Sequence, residues 1–165
     1  MTNTAEQLES YPQAGEESPN FTAPIDGGVN VTLSDFAKAG KNVVLYFYPK
    51  DDTPGCTTEA QGFRDNLEAF DATDTVILGV SKDTVAKHDK FKAKHCLPFS
   101  LVSDEDGSIC DAYGTWVEKS MYGKKYMGIE RATYLIDATG TIAQVWRKVK
   151  VKGHVEAVLK AAQGL

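Results

Sequence analysis

The chain has 165 residues, 42% of them apolar, which is about one domain's length and enough to fold around a core of its own. Eighteen Lys and Arg against 23 Asp and Glu leave a net charge of -5, which argues against a protein that grips a phosphate backbone. The longest apolar run, Val43–Tyr48, falls far short of the roughly 20 residues that cross a bilayer, so neither nucleic acid nor membrane is an expected partner.

Residues 1–18 hold Glu6, Glu9, Glu16 and Glu17 and no Lys or Arg, and Pro12 and Gly15 punctuate them. This reads as a flexible acidic arm ahead of a domain over residues 19–165. Met1–Ser10 shows no basic start followed by an apolar stretch, and the expected location is cytoplasmic. Val43–Tyr48, a run of β-branched and aromatic residues closed by Pro49, predicts a strand buried on both faces. After Thr53-Pro54-Gly55-Cys56, the residues Phe63, Leu67 and Phe70 recur at helical spacing, and Thr75–Ser81 is a second buried strand. Strand, helix and strand make a βαβ unit with parallel strands. A helix over Thr84–Lys94, with Val85, His88 and Phe91 on one stripe, and a strand over Leu97–Val102 extend it.

The segment that holds Trp116, Met121, Tyr122 and Tyr126 reads as a loop leading to Arg131. Glu130–Asp137 and Thr141–Trp146 flank the turn Ala138-Thr139-Gly140 as an antiparallel hairpin, and Gly153–Ala162 is a closing helix. Arg147–Lys152, alternating cation and valine, reads as a lysine-protected sheet edge, and His88, His95 and His154 as solvated or capping residues. The expected fold class is α/β, a mixed central sheet flanked by helices in a thioredoxin-like outline.

Three cysteines, Cys56, Cys96 and Cys110, without a CxxC spacing, fit neither a disulfide framework nor a zinc knuckle, and no metal is expected. No phosphate loop or dinucleotide fingerprint occurs, so no cofactor is expected either. Cys110 reads as core filling. Cys56 differs because of where it stands: Thr53 is a good N-cap and Pro54 a favoured first residue, which makes Cys56 the third residue of a helix. That position normally suits a carboxylate facing the positive end of the helix dipole, so a sulfur there is biased toward its anion. A cysteine hydrolase would need a histidine on a strand near Cys56, and none is predicted there. A non-enzymatic thioredoxin-like binding module remains the other alternative.

The string Pro49-x-x-x-Thr53-x-x-Cys56 resembles the signature of the peroxiredoxins. Tyr46-Phe-Tyr-Pro49, Gly62-Phe-Arg-Asp65, Leu97-Pro-Phe99, Ser103-Asp-Glu-Asp106, Ala112-Tyr-Gly114 and Lys152-Gly-His154 resemble their bacterioferritin comigratory protein, or peroxiredoxin Q, branch. The resemblance implies a thiol-dependent peroxidase with an antioxidant role, in which Cys56 attacks hydrogen peroxide or an organic hydroperoxide and becomes a sulfenic acid. It implies that Thr53 binds the peroxide oxygens and that Arg131 stabilises the thiolate and the departing oxygen. Pro49 would shield the pocket, and Glu59 would orient the arginine. Many members of the branch carry a second cysteine five residues after the first, where this chain has Gln61; others carry it at the position aligned with Lys92. Cys96 lies one turn beyond Lys92. A cycle closed by an external thiol (thioredoxin, glutaredoxin or a small thiol) is therefore the leading expectation, with a Cys56–Cys96 disulfide second. The resemblance points to a monomer or weak dimer.

Overall fold

The computed structural model describes residues 11–165. The first ten residues of the arm expected over 1–18 lie outside them. Residues 15–18 run beside the last strand of the main sheet, with the Gly15 N–H donating to Ile142 O at 2.8 Å and the Ser18 N–H to Gly140 O at 2.9 Å. Strands β1 (Thr22–Pro24) and β2 (Asn30–Thr32) form a small antiparallel pair ahead of helix α1 (Leu33–Lys38).

The main sheet begins with β3 (Asn42–Phe47), followed by helices α2 (Pro54–Asp65) and α3 (Leu67–Asp71), strand β4 (Thr75–Ser81), helix α4 (Val85–His95) and strand β5 (Ser100–Ser103). A short helix α5 (Ser108–Ala112) and a separate hairpin, β6 (Trp116–Met121) with β7 (Lys124–Ile129), come next. Then β8 (Ala132–Ile136) and β9 (Ile142–Trp146) return to the sheet, and α6 (His154–Gln163) closes the chain. The strand order is β5-β4-β3-β8-β9, with β3, β4 and β5 parallel and β8 and β9 antiparallel to their neighbours.

Every residue of β3 from Val43 on is buried, because both faces of the sheet are covered. Val43, Leu45 and Phe47 face a layer with Leu33, Ile109 and Tyr113; Val44 and Tyr46 face Cys56, Ala60, Phe63, Phe91, Val155 and Val158 on α2, α4 and α6. Tyr46 lies over Gly79, its cross-strand partner, and stacks on Phe63 with ring centroids 4.7 Å apart. A Cβ on Gly79 would stand 2.9 Å from the Tyr46 hydroxyl, so the glycine makes room for the ring. Among the described residues, no helix is long and apolar enough to cross a membrane.

Four local expectations need correction. The helix expected to run through Leu67 and Phe70 breaks at Asn66, whose ψ of 8° leaves the helix and whose side-chain amide donates to Gly62 O. The strand expected from Leu97 starts only at Ser100, consistent with Pro98, which lacks an N–H for the ladder. Residues 116–129 are a hairpin, not a loop; Tyr122 and Gly123, with φ of 52° and 79°, form the two-residue turn that right-twisted strands favour. Arg147–Lys152 is no sheet edge. β9 stops at Trp146, and Arg147 folds inward onto Glu130, Tyr134 and the carbonyls of Tyr113 and Gly114.

Candidate active site

Because β8 runs antiparallel to β3, with Phe47 opposite Ala132, the end of β3 and the start of β8 share one edge of the sheet. Pro49 and the 50–53 loop leave β3 at that edge, and Arg131 enters β8 there. Asp52 adopts a left-handed conformation (φ 62°), turning the chain toward α2. Its exposed carboxylate accepts from Lys94 Nζ at 2.9 Å and pairs with His95 Nε2 at 3.2 Å; these contacts, Lys94 first, hold it below the usual carboxylate range. Thr53 takes the N-cap place and Pro54 the first helical position, so Cys56 is third. The Thr53 hydroxyl, however, does not cap the helix; it donates to Lys50 O at 3.0 Å.

Cys56 is only 1% exposed. Its surroundings are not pure hydrocarbon, because the Arg131 guanidinium donates from Nη2 to Sγ at 3.3 Å and from Nη1 to Glu59 Oε1 at 2.7 Å. Gly55 matters here: a Cβ on it would stand 3.3 Å from Nη2. Burial opposes the charge on Arg131, yet Glu59 and the Cys56 sulfur hold its pKa above the ordinary value. Glu59 is fully buried, and burial pushes its carboxyl up to about 7 against the pull of Arg131.

Among the described residues Glu59 Oε2 has no hydrogen-bond partner, and it faces His154 Nε2 across 4.0 Å. His154 is buried, not solvated as expected. Its Nε2 bonds Thr133 Oγ1 at 2.7 Å, and burial, helped by Arg131, brings its pKa down to about 4.

His88 corrects the same expectation. It is completely buried, with Nδ1 2.7 Å from Asp51 Oδ2 and Nε2 2.9 Å from Val102 O. Burial works against its charge, but Asp51 and the Val102 carbonyl raise its pKa overall. Tyr48 donates to the other Asp51 oxygen, and the Asp51 N–H donates to Asp83 Oδ2 at 2.8 Å, fixing the loop that carries Thr53. Asp51, Asp83 and His88 lie close enough to hold a metal ion, but their facing atoms are engaged with one another, with Ser81 and with Val102. The signal for His88 was its place on the apolar stripe of α4 with Val85 and Phe91. No sequence signal pointed to the Thr133–His154 pair.

Cys96 stands apart from this group. It is exposed and caps α4 in a left-handed conformation, and Arg64 Nη1 of α2 donates to the preceding carbonyl of His95 at 2.9 Å. Gln61 Nε2 lies 3.5 Å from His95 Nδ1. Cys110 is fully buried, and burial, with the nearby Asp104, raises its thiol well above the ordinary range.

The AhpC/TSA family model matches residues 14–145. A putative peroxiredoxin Bcp of Coxiella burnetii is 53% identical over 147 residues, 89% of this chain and 96% of that protein. A cysteine-to-serine mutant of Xylella fastidiosa PrxQ superposes with a TM-score of 0.88 at 42% identity, covering 94% of this chain and 98% of that one. A bacterioferritin comigratory protein of Xanthomonas campestris, described for its alkyl peroxide reduction activity, does so with a TM-score of 0.82 at 48% identity, covering 87% and 90%.

Proposed function

Because this chain belongs to the AhpC/TSA family, among its Bcp peroxiredoxins, and is a thiol-dependent peroxidase, we propose that Cys56 is the sulfur that meets the peroxide. The observation that carries this reading is the single guanidinium shared between Cys56 Sγ and Glu59 Oε1. A cation fixed 3.3 Å from a buried sulfur faces the negative charge a thiolate carries in its attack and stands where charge develops on a departing oxygen. Glu59 holds the guanidinium in orientation, the Thr53 hydroxyl, its own proton turned to Lys50 O, accepts from the peroxide O–H, and Pro49 screens the pocket from water.

In the reaction, the thiolate attacks the terminal oxygen of R–O–O–H. The S–O bond forms as the O–O bond breaks, leaving Cys56 as sulfenic acid and the electron pair on RO⁻, which takes a proton to become ROH or water. One external thiol displaces water from the sulfenic acid to give a mixed disulfide. A second thiol attacks that disulfide and returns Cys56 to the thiol. The substrates are hydrogen peroxide and organic hydroperoxides, the latter in keeping with the alkyl peroxide activity described for the Xanthomonas relative. Thioredoxin, glutaredoxin or a small thiol supplies the electrons.

What supports an external thiol over Cys96 is the different setting of the two sulfurs. Cys56 is buried beneath Arg131, whereas Cys96 is exposed at the end of α4, where the neighbouring His95 is met by Asp52, Gln61 and Arg64 and not by Cys56. Three free cysteines suit a reducing, cytoplasmic setting, and we take the protein to be a monomer or weak dimer.

The test is thiol-driven peroxide consumption by wild type and by Cys56→Ser, with intact-mass analysis after one equivalent of peroxide in the presence of dimedone. Turnover should vanish in Cys56→Ser, and the adduct should map to Cys56. Turnover surviving that substitution overturns the assignment, and a Cys56–Cys96 disulfide in place of the adduct overturns the external-thiol step.

A further inference from the structure

The β6–β7 hairpin stands beside this site with two different faces. Glu118, Ser120, Lys125 and Met127 share one of them, where Lys125 Nζ lies 3.8 Å from Glu118 Oε1. Lys119, Met121, Tyr126 and Gly128 share the other. Lys119 is half-buried although Glu118 and Ser120 on either side are exposed. Its stem crosses the bare backbone of Gly128: a Cβ there would stand 3.3 Å from Lys119 Cδ and 3.6 Å from Cε. The side chain therefore leaves its pairing position opposite Tyr126 and runs toward the end of β7 that leads through Glu130 into Arg131.

There the ammonium lies in the field of Arg131, Glu130 and Cys56, and burial first, then Arg131, lower its pKa. Glu130 is engaged by Arg147 Nε at 2.8 Å, and Arg131 by Glu59 and Cys56. Among the described residues, Lys119 has no hydrogen bond or ion pair of its own. An ammonium partly removed from water beside a second cation, with the nearby Glu130 already engaged by Arg147, leaves a place for a further anion.

We propose that Lys119 is a specificity-determining residue that selects hydroperoxides bearing a carboxylate near the peroxide group, with Tyr126 and Met121 offering apolar contact beside it. This rests on the reading of Cys56 as the peroxide-reducing sulfur. Exposed ion pairs are worth up to about 1 kcal/mol, or about fivefold in a rate ratio.

The experiment compares kcat/KM for cumene hydroperoxide and for its ring-carboxylated analogue in wild type, Lys119→Gln, Lys119→Arg and Lys125→Gln. The carboxylated-to-neutral ratio should fall about fivefold in Lys119→Gln, while Lys119→Arg and Lys125→Gln keep the wild-type ratio. The wild-type preference should also shrink as salt is raised. A Lys119→Gln enzyme with the wild-type ratio, or a fall of equal size on both substrates, overturns the inference. Neither result touches the Cys56 reading, which fails only if Cys56→Ser still consumes either hydroperoxide.

Discussion

Glu59 and His154 carry opposite pH dependences within one buried cluster. Glu59 titrates near 7 in the folded chain against an ordinary 4.5, so its contribution to stability is present at low pH and lost as pH rises through 7. His154 titrates near 4 against an ordinary 6.5, so its contribution is present at neutral pH and lost as pH falls toward 4. The two ranges overlap, and there the effects oppose each other. Glu59→Gln removes the first and leaves the second. Lowering pH from 7 to 5 should therefore cost this variant about 2 kcal/mol more than it costs wild type, read from urea midpoints at each pH. Parallel profiles would show that Glu59 is not held protonated.

At this scale the sequence was informative only where local chemistry decides. Thr53, Pro54 and Cys56 fall in the predicted helix-start positions because the preference of proline for the first helical position is local, although the Thr53 hydroxyl makes no cap. His88 and His154 were misjudged because their burial depends on Asp51, Val102 and Thr133, which approach from distant segments.

Among the elements, the seam between α2 and α6 offers a sharp test of packing. A Cβ on Gly62 would stand 2.9 Å from Val155 Cγ2, the end of a stiff β-branched side chain. Alanine in a helix interior gains up to about 1 kcal/mol over glycine, whereas overfilling a tight seam costs about 1–3 kcal/mol. Gly62→Ala should therefore lose about 1 kcal/mol in urea denaturation, and a raised midpoint would refute the close packing of these helices.

The long, strongly patterned elements were legible. β3, β4, the β8–β9 hairpin and α6 lie within a few residues of their predicted bounds. The β6–β7 hairpin was not, because its strands are largely exposed and carry no clear apolar alternation. Gly123 in the turn was the one available signal.

Across the whole molecule, function follows from sheet order. One edge brings together the loop after β3, the N-terminus of α2 and the start of β8, so Cys56 and Arg131, 75 residues apart in sequence, meet. The sequence supplied the βαβ unit and the final hairpin but not the antiparallel pairing of β3 with β8, since long-range register leaves no local trace. That pairing is what gives the sulfur its cation. The most direct measurement is the second-order rate constant for oxidation of Cys56 by hydrogen peroxide in wild type and Arg131→Gln. A glutamine keeps a donor for Glu59 but removes the charge, and the rate should fall about 10²- to 10³-fold. A rate within about threefold of wild type would contradict the role proposed for this guanidinium.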